Sequence, residues 1–211
     1  MRAIFFDLDG TLSDPMPGIT RSIQFALGKL DHEVPDSGDL VWCIGPPLLQ
    51  SLEKMLGNPQ RAITALELYR ERFSATGLYE NRLYPGIMDT LASLAEAGRP
   101  LFIATSKPTV YARRIVDHFS IGEYFEDVFG SGLDGTNSDK TDLLKHALEK
   151  TGADPLQATM VGDRSHDMIG ARRNKMSAVG VLYGYGGEDE LRAAGAQRLS
   201  PTTRELAKIL S

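Results

Sequence analysis

Short apolar runs alternate along this chain with stretches in which apolar residues recur every three or four positions. Ala3-Ile4-Phe5-Phe6, Leu101-Phe102-Ile103-Ala104, Ala158-Thr159-Met160-Val161 and Ala178-Val179-Gly180-Val181 are each too short for a helix, and they read as buried strands. A further strand is expected over 125–129. Met88, Leu91, Leu94 and Ala95 keep helical spacing and are closed by Gly98; Leu143, Leu144, Ala147 and Leu148 do the same before Gly152. Strands and helices alternating at this spacing imply crossover connections and a parallel sheet.

The strand signal vanishes between Asp14 and about Arg82. Ile19, Ile23, Ala26, Leu27 and Leu30 lie on one helical face, Leu48, Leu49, Leu52, Met55 and Leu56 on a second, and Ile63, Leu66, Tyr69 and Phe73 on a third. Pro15 and Pro17 mark the entrance, and Tyr84-Pro85-Gly86 marks the return. The expected architecture is therefore an α/β core built from 1–14 and 82–211, interrupted by an all-helical insertion over 15–81.

Composition narrows the function. With 211 residues, 42% of them hydrophobic, the chain can bury one ordinary core with a modest insertion. A formal charge of -5, with 23 basic residues in no long run, argues against a sequence-independent grip on a nucleic acid polymer and leaves a small molecule as the expected partner. The single cysteine, Cys43, excludes an internal disulfide and a thiolate metal cluster. Asp7 and Asp9 fall where a signal peptide would carry its apolar run, and no 18-residue apolar stretch occurs, so a cytoplasmic location without membrane contact is expected.

In an open parallel sheet, reactive groups gather at the carboxyl ends of strands. Asp7 and Asp9 follow the first run, Thr105-Ser106-Lys107 the second, and Gly162-Asp163 with Asp167 the third, while Lys140 opens a helix after the 125–129 strand. Carboxylates gathered at one edge repel unless a hard cation joins them, and oxygen ligands in small number favour magnesium. Asp7 and Asp163 are the first ligands expected. Lys140, Thr105, Ser106 and turn N–H groups suit phosphate oxygens. One carboxylate, Asp7, would then attack phosphorus, and Asp9 would serve as acid and later as base.

Phe6-Asp7-Leu8-Asp9-Gly10-Thr11-Leu12 resembles the first motif of the haloacid dehalogenase superfamily, and Thr105-Ser106-Lys107, Lys140 and Gly162-Asp163 with Asp167 resemble the others in order. The resemblance implies a Rossmann-like core with a helical cap inserted after the first motif. It also implies a magnesium ion held by Asp7, the backbone carbonyl of Asp9, and Asp163, with Asp167 one shell out. Ile44-Gly45-Pro46-Pro47-Leu48 is similar to phosphoglycolate phosphatase-like proteins. Gly77-Leu78-Tyr79-Glu80-Asn81 before Tyr84-Pro85-Gly86 looks like a bacterial 5'-nucleotidase-like branch. Dehalogenases lack an aspartate at the place of Asp9 and transport ATPases carry threonine there, whereas phosphomutases retain it. A magnesium-dependent phosphatase of small phosphorylated metabolites is thus expected, as monomer or homodimer. A phosphomutase is the alternative, and a non-catalytic phospholigand-binding regulator a third.

Several features are read otherwise. Gly130-Ser131-Gly132-Leu133-Asp134-Gly135 matches a dinucleotide glycine pattern, but Asp134 would put negative charge where pyrophosphate should lie, so it is expected to be a loop. His166 is expected on a helix surface and Cys43 in packing. Gly45 permits close backbone approach to substrate, and Arg21 and Lys54 are cationic candidates for its remaining groups.

Overall fold

The structure, a computed structural model, describes residues 2–210. In chain order the elements are β1 (Ile4–Phe6), β2 (Ser13–Asp14), α1 (Met16–Lys29), α2 (Leu48–Leu56), α3 (Pro59–Ala75), β3 (Arg82–Leu83), α4 (Ile87–Glu96), β4 (Leu101–Pro108), α5 (Thr109–His118), β5 (Asp127–Ser131), α6 (Lys140–Thr151), β6 (Thr159–Gly162), α7 (Ser165–Arg173), β7 (Ser177–Val181), α8 (Glu188–Ala194), β8 (Arg198–Ser200) and α9 (Thr203–Leu210).

Six strands form one sheet in the order β5-β4-β1-β6-β7-β8, and every neighbouring pair is parallel. β1 takes the interior because all three of its residues are apolar and buried, as a strand covered on both faces requires. Phe5 stacks on Phe102 with ring centroids 4.9 Å apart. On that face it joins Phe129, Leu143, Leu144, Met160 and Met168, so α6 and α7 are held by the same apolar layer. The sheet is the parallel sheet expected from the alternating runs, in the Rossmann-like α/β core that the resemblance implied.

Local chemistry sets the ends of the elements that matter most. Asp139 caps α6 by accepting the Thr141 N–H at 2.7 Å, and Gly152 closes the helix at φ 67°. Lys140 is thereby fixed as the first helical residue. Two expectations need correction at the sheet edge. β4 runs on to Pro108 instead of stopping at Ala104, and β5 begins at Asp127 and includes Gly130 and Ser131, which the glycine pattern had placed in a loop. The reason is a register shift between Ala104 and Pro108 that carries pairing onward to Ser131. The short strands β2, β3 and β8 carry no apolar run and were not expected.

Contacts divide the chain into two compact units, Met1–Asp14 with Leu83–Ser211, and Pro15–Arg82. Within the second, α1 and α3 pack together, Gly18 and Gly77 are opposed so closely that a side chain on either would strike the other's carbonyl, and Glu80 pairs with both Arg72 and Arg21 at 2.8 Å.

Candidate active site

The register of the sheet brings the acidic residues together. Phe6 lies level with Ile103 and Val161, so the next residue, Asp7, stands at the carboxyl edge, and its N–H donates to the Val161 carbonyl at 2.9 Å. The chain then turns tightly, with the Leu12 and Ser13 N–H groups both donating to the Leu8 carbonyl. Gly10 takes φ 83°, and any side chain there would run into the Asp163 carboxylate. Glycine therefore serves both the turn and the approach of the third strand's acid.

Asp163 directly follows β6 and is fully buried. Its Oδ1 accepts the Thr11 hydroxyl at 3.3 Å, and its Oδ2 accepts the Tyr185 N–H at 2.9 Å. Asp167 sits in the first turn of α7, where its Oδ2 accepts the Arg164 N–H at 3.1 Å and caps the helix. Gly162 makes room for it, since a Cβ at that position would overlap the Asp167 carboxyl carbon.

Lys140 reaches this group from α6. Its Nζ lies 3.0 Å from Asp7 Oδ1 and 2.8 Å from Asp167 Oδ1, and it donates to the Ala104 carbonyl at 2.9 Å. Gly170 allows that approach by leaving its Cβ space to the Lys140 stem. Burial opposes the ammonium charge, but Asp167 and Asp7 outweigh it and raise the lysine above its ordinary value. The lysine is a permanent cation here.

Asp7, Asp163 and Asp167 each offer a carboxylate oxygen within 4.8 Å of the others. Burial, then the neighbouring carboxylates, pushes Asp163 well above the usual range, and burial lifts Asp167 to about 6 despite Lys140. Asp7 Oδ1 and Asp167 Oδ1 are buried, and Lys140 Nζ is the cation beside both. Three buried carboxylates within reach of one another, with a single lysine to offset their charge, form a set of hard oxygen donors that a small divalent cation fits.

Asp9 lies outside this triad. Its Oδ2 forms a salt bridge with Lys107 Nζ at 2.9 Å, both side chains being buried, while its Oδ1 is buried with no hydrogen-bond partner. Burial raises the Asp9 carboxyl and Lys107 opposes the rise.

Thr105 is buried in β4, where its hydroxyl accepts the Lys107 N–H at 3.2 Å. Ser106 is half-buried, and its carbonyl accepts the Ser131 hydroxyl at 2.9 Å. Gly45 belongs to the Pro15–Arg82 unit, at φ 105°. In that unit Arg21 is paired with Glu80, and Lys54 lies over the Trp42 ring, 4.7 Å from its centroid. Burial pushes the Cys43 thiol up to about 11, so it stays protonated. His166 is exposed at the start of α7. The sequence reading placed Lys107 with Thr105 and Ser106 at the end of a strand but did not pair it with Asp9, and it gave no role to the tyrosines after β7. Tyr185 donates its hydroxyl to Asp14 Oδ1 at 2.5 Å as well as its N–H to Asp163, and Tyr183 donates to the Thr11 carbonyl at 3.1 Å. The glycines flanking Tyr185, each without room for a side chain beside Asp163, were the available signal.

A model of the haloacid dehalogenase-like hydrolase family matches residues 4–181. The chain belongs to that family. A 5'-nucleotidase of Pseudomonas aeruginosa is 50% identical over 191 residues, covering 90% of this chain and 86% of that protein. The tyrosine-protein kinase PtkA of Mycobacterium tuberculosis is 41% identical over 186 residues, 88% of this chain; the match spans only 64% of that longer protein. Among solved structures, a predicted phosphatase from Clostridium acetobutylicum superposes with a TM-score of 0.96 at 40% identity, covering 99% of this chain and 97% of that one. The chain is a phosphatase of the haloacid dehalogenase-like family, a phosphoric monoester hydrolase. Among the described residues no helix is long and apolar enough to cross a membrane.

Proposed function

We propose that this chain hydrolyses small phosphorylated metabolites, nucleoside 5'-monophosphates first among them and phosphoglycolate next, through an aspartyl-phosphate on Asp7. The observation that carries the reading is the buried meeting of Asp7, Asp163 and Asp167 around Lys140 at the carboxyl edge of a parallel sheet. Asp7, Asp163 and the backbone carbonyl of Asp9 would hold magnesium, which supplies positive charge against the phosphate dianion. Asp167 would stand one shell out, held in place by Lys140.

Each chain residue then has a distinct task. Asp7 Oδ attacks phosphorus as the ester P–O bond breaks, and Asp9 gives its proton to the leaving oxygen. Asp9 next takes a proton from water as that water attacks phosphorus and the P–O bond to Asp7 breaks, releasing inorganic phosphate and restoring both carboxyl groups. Lys140, Thr105 and Ser106 bind phosphate oxygens, and their placement on the first turn of α6 and within β4 limits reorganisation during transfer. Gly45 and the rest of the Pro15–Arg82 unit select the substrate. The 50% identity to a 5'-nucleotidase supports placing nucleotides first. A cytoplasmic setting, rich in such metabolites, suits this chemistry.

The deciding experiment is a phosphate-release panel of nucleoside monophosphates, phosphoglycolate and sugar phosphates, in chelator and with added magnesium. Turnover should require magnesium and be greatest for a nucleoside 5'-monophosphate. Equal turnover in chelator would remove the metal, and phosphate passed to a second hydroxyl instead of water would replace hydrolysis by mutase chemistry.

A further inference from the structure

The ion pair between Lys107 and Asp9 has no part in the scheme above, and the backbone around it is built with some care. The register shift in β4 between Ala104 and Pro108 occurs where Lys107 lies. A bulge of this kind redirects a side chain relative to a regular strand. Three contacts hold it: the Lys107 N–H donates to the Thr105 hydroxyl at 3.2 Å, the Ser131 hydroxyl donates to the Ser106 carbonyl at 2.9 Å, and the Thr109 hydroxyl donates to the Ser131 carbonyl at 3.3 Å. Gly130 is the fourth element. A Cβ there would lie 2.6 Å from the Lys107 carbonyl oxygen and 2.8 Å from the Thr109 backbone, so only glycine lets β5 close on this stretch. The first glycine of the rejected dinucleotide pattern thus has a structural use.

The lysine so placed is 9% exposed, and the carboxylate it meets 7%. The two oxygens of Asp9 are unequal. Oδ2 is held by Lys107 Nζ at 2.9 Å, whereas Oδ1 is buried with no hydrogen-bond partner. An unanchored aspartate would exchange its oxygens by rotation about its terminal torsion, which is broad and nearly two-fold. Anchoring one oxygen breaks that equivalence and leaves the other for the substrate.

We propose that Lys107 is a positioning residue for proton transfer: by holding Asp9 Oδ2 it presents Asp9 Oδ1 as the oxygen that protonates the leaving group. This rests on the assignment of Asp9 as the acid. In the first step the Oδ1–H bond breaks and the proton passes to the ester oxygen as that oxygen departs from phosphorus with the bonding pair. In the second, Oδ1 takes a proton from the attacking water. Lys107 keeps its own proton throughout and touches neither phosphorus nor the leaving atom.

Leaving groups of graded basicity test this on the intact protein. A nitrophenolate leaves without help, whereas the 5'-oxygen of a ribose needs a proton. General acids contribute about 10²- to 10⁴-fold, so losing the anchor while retaining the acid should cost a fraction of that, about 10- to 100-fold in kcat for a nucleoside 5'-monophosphate. Lys107→Met should show that loss, keep nitrophenyl phosphate turnover within about threefold, and leave KM for both substrates within about threefold. Lys107→Arg, which restores a cation, should recover part of the nucleotide rate. Gly130→Ala, which disturbs the bulge without touching either charge, should give a weaker form of the same pattern and serves if Lys107→Met does not fold. Equal losses on both substrates in the folded variants, or none, would overturn the proposal. Asp9→Asn measured alongside separates the two ideas: a leaving-group-dependent loss there but not in Lys107→Met refutes the positioning role alone. A loss independent of leaving group in Asp9→Asn refutes the acid assignment on which it stands.

Discussion

Raising the pH in the presence of a chelator should destabilise this protein over a range in which most proteins gain stability or hold it. Asp167 carries the argument. Burial, only partly offset by Lys140, lifts its carboxyl from 3.8 to about 6. The folded state therefore binds that proton more tightly than the unfolded chain does. The contribution is fully present below about pH 4 and is lost as pH rises through about 6. Such a displacement corresponds to about 3 kcal/mol. For a chain of this length that is roughly 6 to 12 °C in Tm. Burial raises Asp163 and Asp9 as well, so both act in the same direction. His166, lowered chiefly by burial, acts oppositely as pH rises towards 6.5, and so do two carboxylates, Glu80, lowered chiefly by Arg72, and Glu190, whose hydrogen bonds with Ser165 and Arg164 outweigh its burial. The two carboxylate contributions grow with pH only up to their unfolded value of 4.5 and are constant above it.

The assay is thermal or chemical denaturation between pH 4.5 and 7.5, in chelator and in magnesium, for wild type and Asp167→Asn. Wild type in chelator should lose stability across the interval, and the loss should shrink in Asp167→Asn, where one titrating carboxyl is gone and Asp163 is relieved of a neighbouring charge. Magnesium should restore stability most at the upper end, where the carboxylates are ionised and bind it best. A flat or rising profile in chelator, or equal slopes in the two proteins, would refute the account of the triad as mutually repelling buried acids.

Two further outcomes test the site. Asp7→Asn should reduce turnover to background while leaving the melting temperature in magnesium within a few degrees, because the amide keeps the shape but cannot form the acyl phosphate; a purified variant with more than a trace of wild-type rate would end the nucleophile assignment. Gly10→Ala places a side chain at φ 83° against the Asp163 carboxylate, and should cost about 1 kcal/mol or more in stability and raise the magnesium concentration needed for half-maximal rate; an unchanged magnesium requirement would show that Gly10 does not set the position of Asp163.

The parts of this structure that were legible in the sequence are those encoded locally. An apolar run such as Ile4-Phe5-Phe6 can only be an interior strand, and acids directly after such runs must meet at one edge once the strands are parallel. What escaped depends on residues far apart. Lys107 was legible as the third residue of a strand-end motif, but its pairing with Asp9 was not, because that depends on a bulge locked by Gly130 and Ser131 from the next strand. The same bulge moved Gly130 and Ser131 from an expected loop into β5. Tyr185 gave a glycine signal but no hint that its N–H would hold Asp163. Strand β8, three residues with a charged and a polar end, has too little apolar content to register. Arg21 and Lys54, cationic candidates for substrate, have neighbours the sequence did not show, Glu80 and the Trp42 ring.

Lys140 also bears on how the protein reaches its working state. Its ammonium joins the residue after β1, the backbone of β4 and the first turn of α7, partners that lie far from one another in the chain and 36 positions away in the case of Ala104. Contacts of such separation are slow to form, because the intervening chain must be ordered before they reward it. A partly folded molecule with native helices but an unzipped sheet would hold the lysine with none of its three partners in place. Recovery of activity during refolding should therefore lag behind recovery of helical signal, and the enzyme's own turnover becomes a clock for the last strand to dock.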